Sequence, residues 1–153
     1  MSSIRAIDLF CGTGGLSLGL QQAGIEVVAG VDLERRCKYP YEHNLNAQFI
    51  EASVVDVTAE TLNELWGEGT LRLLAGCAPC QPFSSQRRGK DPSQDKNWRL
   101  LDEFGRLVRE TRPDYVTMEN VPLLARDAMF ERFVQTLEGE GYSVDYGVLY
   151  GPD

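Results

Sequence analysis

Short apolar runs alternate along this chain with segments whose apolar residues recur at helical spacing. The runs at 5–10, 25–31, 48–50, 71–75 and 115–118 have the length and content of buried strands. Residues 142–149 alternate apolar and polar positions and predict one further strand. Between the runs, Leu16, Leu18 and Leu20 open a helix that stops near Gly24, and a second helix is predicted over 34–46. Leu62, Leu65 and Trp66 share one face of a third, which Thr58 is placed to cap. Leu100, Phe104, Leu107 and Val108 give a fourth, ending near Thr111 because Pro113 disfavours helical backbone just before it. Phe130, Phe133, Val134 and Leu137 give a fifth, stopped by Gly141. This alternation predicts an α/β fold, a doubly wound and mostly parallel sheet with both faces covered.

In such a sheet, ligands bind in the crevice beyond the carboxyl ends of the strands. Phe10 to Gly15, Asp32, Asp56, Cys80 and Glu119 all fall at predicted strand ends. Cys11-Gly12-Thr13-Gly14-Gly15 joins the first strand to the first helix. Glycines let backbone approach a ligand closely, and a helix N-terminus offers unpaired N–H groups. Ser17 stands where the dinucleotide fingerprint has its third glycine. A nucleoside cofactor without a pyrophosphate therefore suits the turn at least as well. A tight turn with no ligand is the competing reading. Asp32 follows Gly12 by about 20 residues, where an acidic side chain commonly accepts from ribose hydroxyls. Its other reading is a cap on the next helix.

Gly76-Cys77-Ala78-Pro79-Cys80-Gln81-Pro82-Phe83-Ser84 leaves the fourth strand. Pro79 and Pro82 fix the backbone on either side of Cys80-Gln81, which suits a nucleophile that must not move. Cys77 reads as a small buried residue at a strand end. The two cysteines formally spell C-x-x-C, but redox pairs of that kind open a helix, and here Pro82 and a polar segment follow. A zinc site is not expected, since no second ligand pair is present and His43 is the lone histidine. Residues 85–97 carry no apolar period, and loops of such length are commonly functional; a solvated charged loop is the other reading.

Composition narrows the class. A chain of 153 residues suffices for one domain with its own core. No apolar run approaches the roughly 18 residues of a membrane span. The chain enters its first strand at once, so no leader and a cytoplasmic location are expected, nucleoid-associated in a bacterium. Cys11, Cys37, Cys77 and Cys80 do not have the spacing of a disulfide framework. The net charge of −8 argues against a stand-alone nucleic-acid binder, although a local basic patch or a partner can supply the missing charge.

In order and spacing, Asp8-x-Phe10-x-Gly12-x-Gly14-Gly15, Pro79-Cys80-Gln81-Pro82-Phe83-Ser84 and Glu119-Asn120-Val121 resemble the DNA cytosine-5 methyltransferases over nearly the whole chain. The resemblance implies a Rossmann-like class I fold, S-adenosylmethionine as cofactor, and as substrate a cytosine flipped out of duplex DNA. It implies that Phe10 packs against the cofactor and that Gly12, Thr13, Gly14 and Gly15 wrap its methionine part. Asp32 would hold the ribose and Asp56 the adenine amino group, with Leu33 and Val57 flanking the ring and Pro79 and Leu100 completing the pocket. Cys80 would attack C6 of the base, and Glu119 would neutralise charge developing on it. Asn120 would orient Glu119 or the loop carrying Cys80, and Gln81 belongs to the same catalytic group. Ser84, Gln86, Arg87, Arg88 and Lys90 would sit on a loop closing over DNA, their cations meeting phosphates.

The sequence departs from the family in two places. Asp95-Lys96-Asn97-Trp98-Arg99 only loosely matches the Asp-x-Arg pattern usual before the helix at Leu100. The family also continues into a Gln-Arg-x-Arg motif, a target-recognition domain and a last motif that completes the cofactor site. None of these lies within residues 1–153. The expectation is therefore a partial catalytic domain, incomplete at its C-terminal end, needing a missing C-terminal part or a second polypeptide with the target-recognition domain. A tRNA cytosine-5 methyltransferase and a non-catalytic, cofactor-binding remnant stay open beside it.

Overall fold

The computed structural model describes residues 3–68, 71–79 and 98–150, with Trp98 described by its backbone alone. Strands β1 (Ile4–Leu9), β2 (Glu26–Asp32), β3 (Gln48–Glu51), β4 (Leu71–Gly76) and β5 (Tyr115–Met118) form one sheet in the order β3-β2-β1-β4-β5. Each of the pairings between them is parallel. Helices α1 (Gly15–Gln22), α2 (Lys38–Asn44), α3 (Ala59–Trp66), α4 (Trp98–Thr111) and α5 (Ala128–Gly139) alternate with the strands. Strand order reverses between β1 and β4, so the crevice of a doubly wound sheet opens there. Register aligns Leu9 with Gly76, and Gly76 with Met118, so these three strands end level.

The two faces follow from the period-two alternation of side chains along a strand. Ile7, Leu9, Val31 and Leu74 pack with Leu62, Trp66, Phe104, Leu107 and Phe133 from α3, α4 and α5. On the opposite face, Ala6, Val27 and Leu73 meet Leu20 of α1, while Tyr41, Leu45 and Phe49 close over Cys11. Burying a side chain such as Phe104 or Leu62 fully contributes about 1.5–3 kcal/mol. Gly30 sits in β2 where a strand ordinarily disfavours glycine. A Cβ there would collide with the buried Tyr41 ring and lie 2.7 Å from Cys11 Sγ, so the residue is set by close approach.

The helix predicted over 34–46 is instead a 3-10 turn, Arg35–Cys37, running into the shorter α2. Glu34 starts it, its side chain accepting from Arg36 N–H at 3.3 Å. Pro40 falls in the first turn of α2, where its missing N–H removes no helical bond. Thr58 caps α3 as expected, its Oγ1 accepting from Thr61 N–H at 3.3 Å.

The strand predicted over 142–149 does not form. Tyr142 and Val144 turn inward and Tyr146 meets Phe130 edge-on at 4.9 Å, but the segment makes no ladder with a described strand. Side-chain alternation reports a two-sided environment, whereas a strand also needs a hydrogen-bonding neighbour. Among the described residues, no helix is long and apolar enough to cross a membrane.

Candidate active site

The site begins where β1 ends. Phe10 (φ 58°) is held in the left-handed region, sparsely populated by bulky residues, and Gly12 (φ 50°) and Gly14 (φ 97°) follow it there. Cys11 N–H donates to Val31 O at 3.2 Å and Gly14 N–H to Cys11 O at 2.9 Å, closing a tight turn onto α1. A Cβ built on Gly12 or Gly15 meets nothing within 4 Å, so the turn leaves open space above its backbone. Thr13 is exposed beside them.

Asp32, at the end of β2, ties this turn to the next. Its Oδ2 accepts from Gly12 N–H at 2.9 Å and its Oδ1 from Glu34 N–H at 2.8 Å. The carboxylate thus ties the chain leaving β2 to the glycine turn; it does not cap the next helix, whose first turn is capped by Glu34 instead. Each oxygen keeps a second lone pair for a further donor. Leu33 beside it is 71% exposed, a large apolar side chain facing solvent at a strand end. Beyond β3, the 3-10 turn Val54–Asp56 leaves Asp56 exposed while Val54 and Val57 are buried.

Under the glycine turn lies a buried polar chain. Tyr41 O–H donates to Ser17 Oγ (2.9 Å), and Ser17 O–H donates to Asp8 Oδ2 (2.6 Å). The serine at the third fingerprint position therefore anchors α1 to β1. Asp8 Oδ1 is buried without a hydrogen-bond partner. Burial pushes the Asp8 carboxyl up to about 6; hydrogen bonds from Ser17 pull it down and the Asp32 charge adds to the rise. Burial likewise pushes the Cys11 thiol and the Tyr41 hydroxyl upward, so both stay protonated.

The sign of this shift gives a prediction. Native Asp8 takes up its proton near pH 6, the unfolded chain nearer 3.8, so the contribution to stability is full below 3.8 and is lost as pH rises through about 6. The ionised form costs on the order of 3 kcal/mol at neutral pH. Asp8→Asn, which resembles the protonated form, is expected to melt close to wild type at pH 4 and above it at pH 7.5. Thermal melts at the two pH values check this; an equal offset at both would show that Asp8 does not titrate in the native range.

At the far side of the crevice, β4 and β5 are laced together beyond their ends. Cys77 N–H donates to Leu9 O at 3.2 Å and Glu119 N–H to Gly76 O at 3.1 Å, extending the ladder by one residue on each strand. Asn120 Nδ2 then donates to Ala78 O at 2.8 Å, while its Oδ1 accepts from Val121 N–H at 2.9 Å. Ala78 lies two residues before Cys80, so Asn120 is bonded to the backbone that leads into that residue. Cys77 S–H donates to Glu119 Oε2 at 3.0 Å, a contact that sequence reasoning missed by reading Cys77 as a small packing residue. Only spacing to Glu119 across the β4–β5 pairing could have signalled it. Pro79 is exposed and Leu100 half-buried near the start of α4. Cys80, Gln81, Ser84, Gln86, Arg87, Arg88 and Lys90 lie outside the described residues. His43 is exposed and stacks on Tyr39 at 5.3 Å, away from these groups.

A parallel sheet in this order, with a glycine turn and carboxylates at its strand ends, defines an α/β methyltransferase fold of the Rossmann-like kind. A prophage protein of E. coli, described as a DNA modification methyltransferase, superposes with a TM-score of 0.73 at 27% identity, over 90% of this chain and 38% of that one. The S. pombe Dnmt2 methyltransferase shares the fold at TM-score 0.69 and 19% identity, over 90% of this chain and 41% of that one. The chain belongs to the family of C-5 cytosine-specific DNA methylases, whose profile matches residues 4–153. The type II methylase M.HgiDII of Herpetosiphon aurantiacus is 45% identical over 96% of this chain, and M.XorII of Xanthomonas oryzae pv. oryzae 36% identical over 96%. This chain spans 42% and 36% of those two relatives.

Proposed function

We propose that residues 1–153 form the S-adenosylmethionine-binding catalytic domain of a DNA cytosine-5 methyltransferase that works in the cytoplasm, within a restriction-modification setting like that of its type II relatives. Target recognition comes from sequence beyond these residues, on the same chain or on a second polypeptide, since the relatives named above are more than twice as long. The observation that carries the reading is the lacing of Glu119 and Asn120 onto Gly76-Cys77-Ala78, directly before Pro79-Cys80.

The described residues fit the cofactor. The open space over Gly12 and Gly15 admits its methionine part, with Thr13 and Gly14 completing the turn. Asp32 retains acceptor capacity for the ribose hydroxyls and the exposed Asp56 carboxylate for the adenine amino group, with Leu33 and Val57 on either side of the ring. Phe10, Pro79 and Leu100 supply the remaining walls. Bound S-adenosylmethionine supplies an electrophilic methyl group for C5 of the base.

The protein's own groups do the rest. The Cys80 thiolate bonds to C6 of a flipped cytosine, which pushes ring electrons toward C5 and N3. Glu119 hydrogen-bonds at N3 and neutralises the charge that gathers there. After methylation a base removes the C5 proton, the C5–C6 double bond re-forms and Cys80 leaves. Asn120 holds the Ala78 carbonyl and Gln81 lies next to the nucleophile. Ser84, Gln86, Arg87, Arg88 and Lys90 meet the DNA backbone, and the three cations among them bring positive charge to a mostly acidic chain.

Duplex DNA containing 5-fluorocytosine tests this, because fluorine at C5 cannot leave as a proton does. The full-length protein, with its partner chain where one exists and with S-adenosylmethionine as methyl donor, is expected to form a denaturation-resistant adduct that maps by mass spectrometry to Cys80. Intact cofactor binding without an adduct would turn the reading to a cofactor-binding remnant. An adduct on 5-fluorocytosine-substituted tRNA alone would turn it to the RNA enzyme.

A further inference from the structure

Arg106 lies on α4, and no motif points to it. Its side chain is 26% exposed and its guanidinium reaches three ways. Nε donates to Glu103 Oε2 at 2.6 Å and Nη1 to Glu110 Oε2 at 2.8 Å, one helical turn to either side. The two carboxylates fix the rotamer of a side chain that otherwise loses much freedom on ordering. Nη2 leaves the helix and donates to Val54 O at 3.3 Å and to Val57 O at 3.1 Å.

Those carbonyls bracket Val55 and Asp56. Beneath them, the Val54 and Val57 side chains, 3% and 5% exposed, enter the core shared with Leu101, Phe104 and Leu107. Apolar contact therefore seats the turn, and a fixed cation grips both of its ends. Asp56 is left exposed between them. A planar, always-charged fork sets the direction of two carbonyls in a way a point charge does not. An ion-pair network serving α4 alone has no need of the third arm.

We propose that Arg106 is a positioning residue for the adenine subsite, aiming the Asp56 carboxylate by holding the Val54 and Val57 carbonyls. The inference rests on Asp56 as the acceptor for the adenine amino group. It extends the cofactor site to the middle of α4, which would tie adenine recognition to the same helix that carries Leu100.

The test compares calorimetric binding of S-adenosylhomocysteine with that of S-inosylhomocysteine, whose base lacks the amino donor. Wild type is expected to prefer adenine by roughly tenfold or more, the effect of one charge-assisted hydrogen bond, and Asp56→Ala to lose that preference. Arg106→Met is expected to lose most of it with Asp56 intact, and Arg106→Lys, which can reach one carbonyl, to keep part. A merely structural role would weaken both ligands equally and leave the preference unchanged, which overturns the inference while the Asp56 assignment stands. No preference in wild type removes the Asp56 assignment and the inference with it. Should Arg106→Met fail to fold, Arg106→Lys decides, and a full wild-type preference there overturns the inference.

Discussion

Glu119→Ala is expected to lower methyl transfer to duplex DNA by roughly 10²–10⁴-fold, the usual worth of a positioned acid or base, and to leave cofactor affinity unchanged. The backbone of Glu119 is fixed independently of its side chain, because its N–H bonds Gly76 O at 3.1 Å and Asn120 bonds Ala78 O at 2.8 Å. Truncation therefore removes the carboxylate without releasing the segment that leads into Pro79-Cys80. The side chain is exposed, so its loss leaves no cavity and little change in stability is expected. Cys77 S–H occupies Oε2, which leaves Oε1 for the base. Glu119→Gln keeps the shape and can still donate at N3, but cannot exchange a proton there, and is expected to fall between Ala and wild type. Single-turnover transfer of a labelled methyl group measures the chemical step directly. An unchanged rate in Glu119→Ala would remove this residue from the reaction. A loss confined to substrate affinity would make it a binding group.

The parts of this site that depend on chain-local chemistry were legible in the sequence. A strand, a glycine turn and a helix in succession leave few other folds, and Asp32 and Glu119 fall at strand ends by counting alone. Contacts between elements were not legible. Ser17 broke the dinucleotide fingerprint, and only the packing of α1 on β1 reveals that its hydroxyl bridges Tyr41 and Asp8. Arg106 drew no reading from the sequence, because its Val54 and Val57 carbonyl partners lie on a different element. Cys77 looked like filler for the same reason. The segment 142–149 failed in the opposite direction: its alternation was real, but the partner strand that alternation ordinarily accompanies is not among the described residues.

Asp32→Ala is expected to weaken S-adenosylhomocysteine binding by roughly 10²-fold, since charge-assisted hydrogen bonds contribute about 1.5–3 kcal/mol each. Two effects combine. On the proposed reading the ribose loses its acceptor, and Gly12 N–H loses the carboxylate that sets the glycine turn, at 2.9 Å. Glu34 N–H loses its acceptor as well, so the chain leaving β2 is freed at the same time. The two bonds within the protein also predict a fall in stability of about 1–3 kcal/mol, seen as a lower melting temperature without ligand. Asp32→Asn separates these contributions. Its single carbonyl oxygen can accept from Gly12 or from Glu34 but not serve both in the native geometry, and the NH2 group in place of the other oxygen cannot accept from a ribose hydroxyl. Stability closer to wild type with affinity still reduced would mark Asp32 as a ribose ligand as well as a clamp. Lowered stability with undiminished affinity in Asp32→Ala would leave the carboxylate with the clamp alone, and the ribose would have to be held from another strand end.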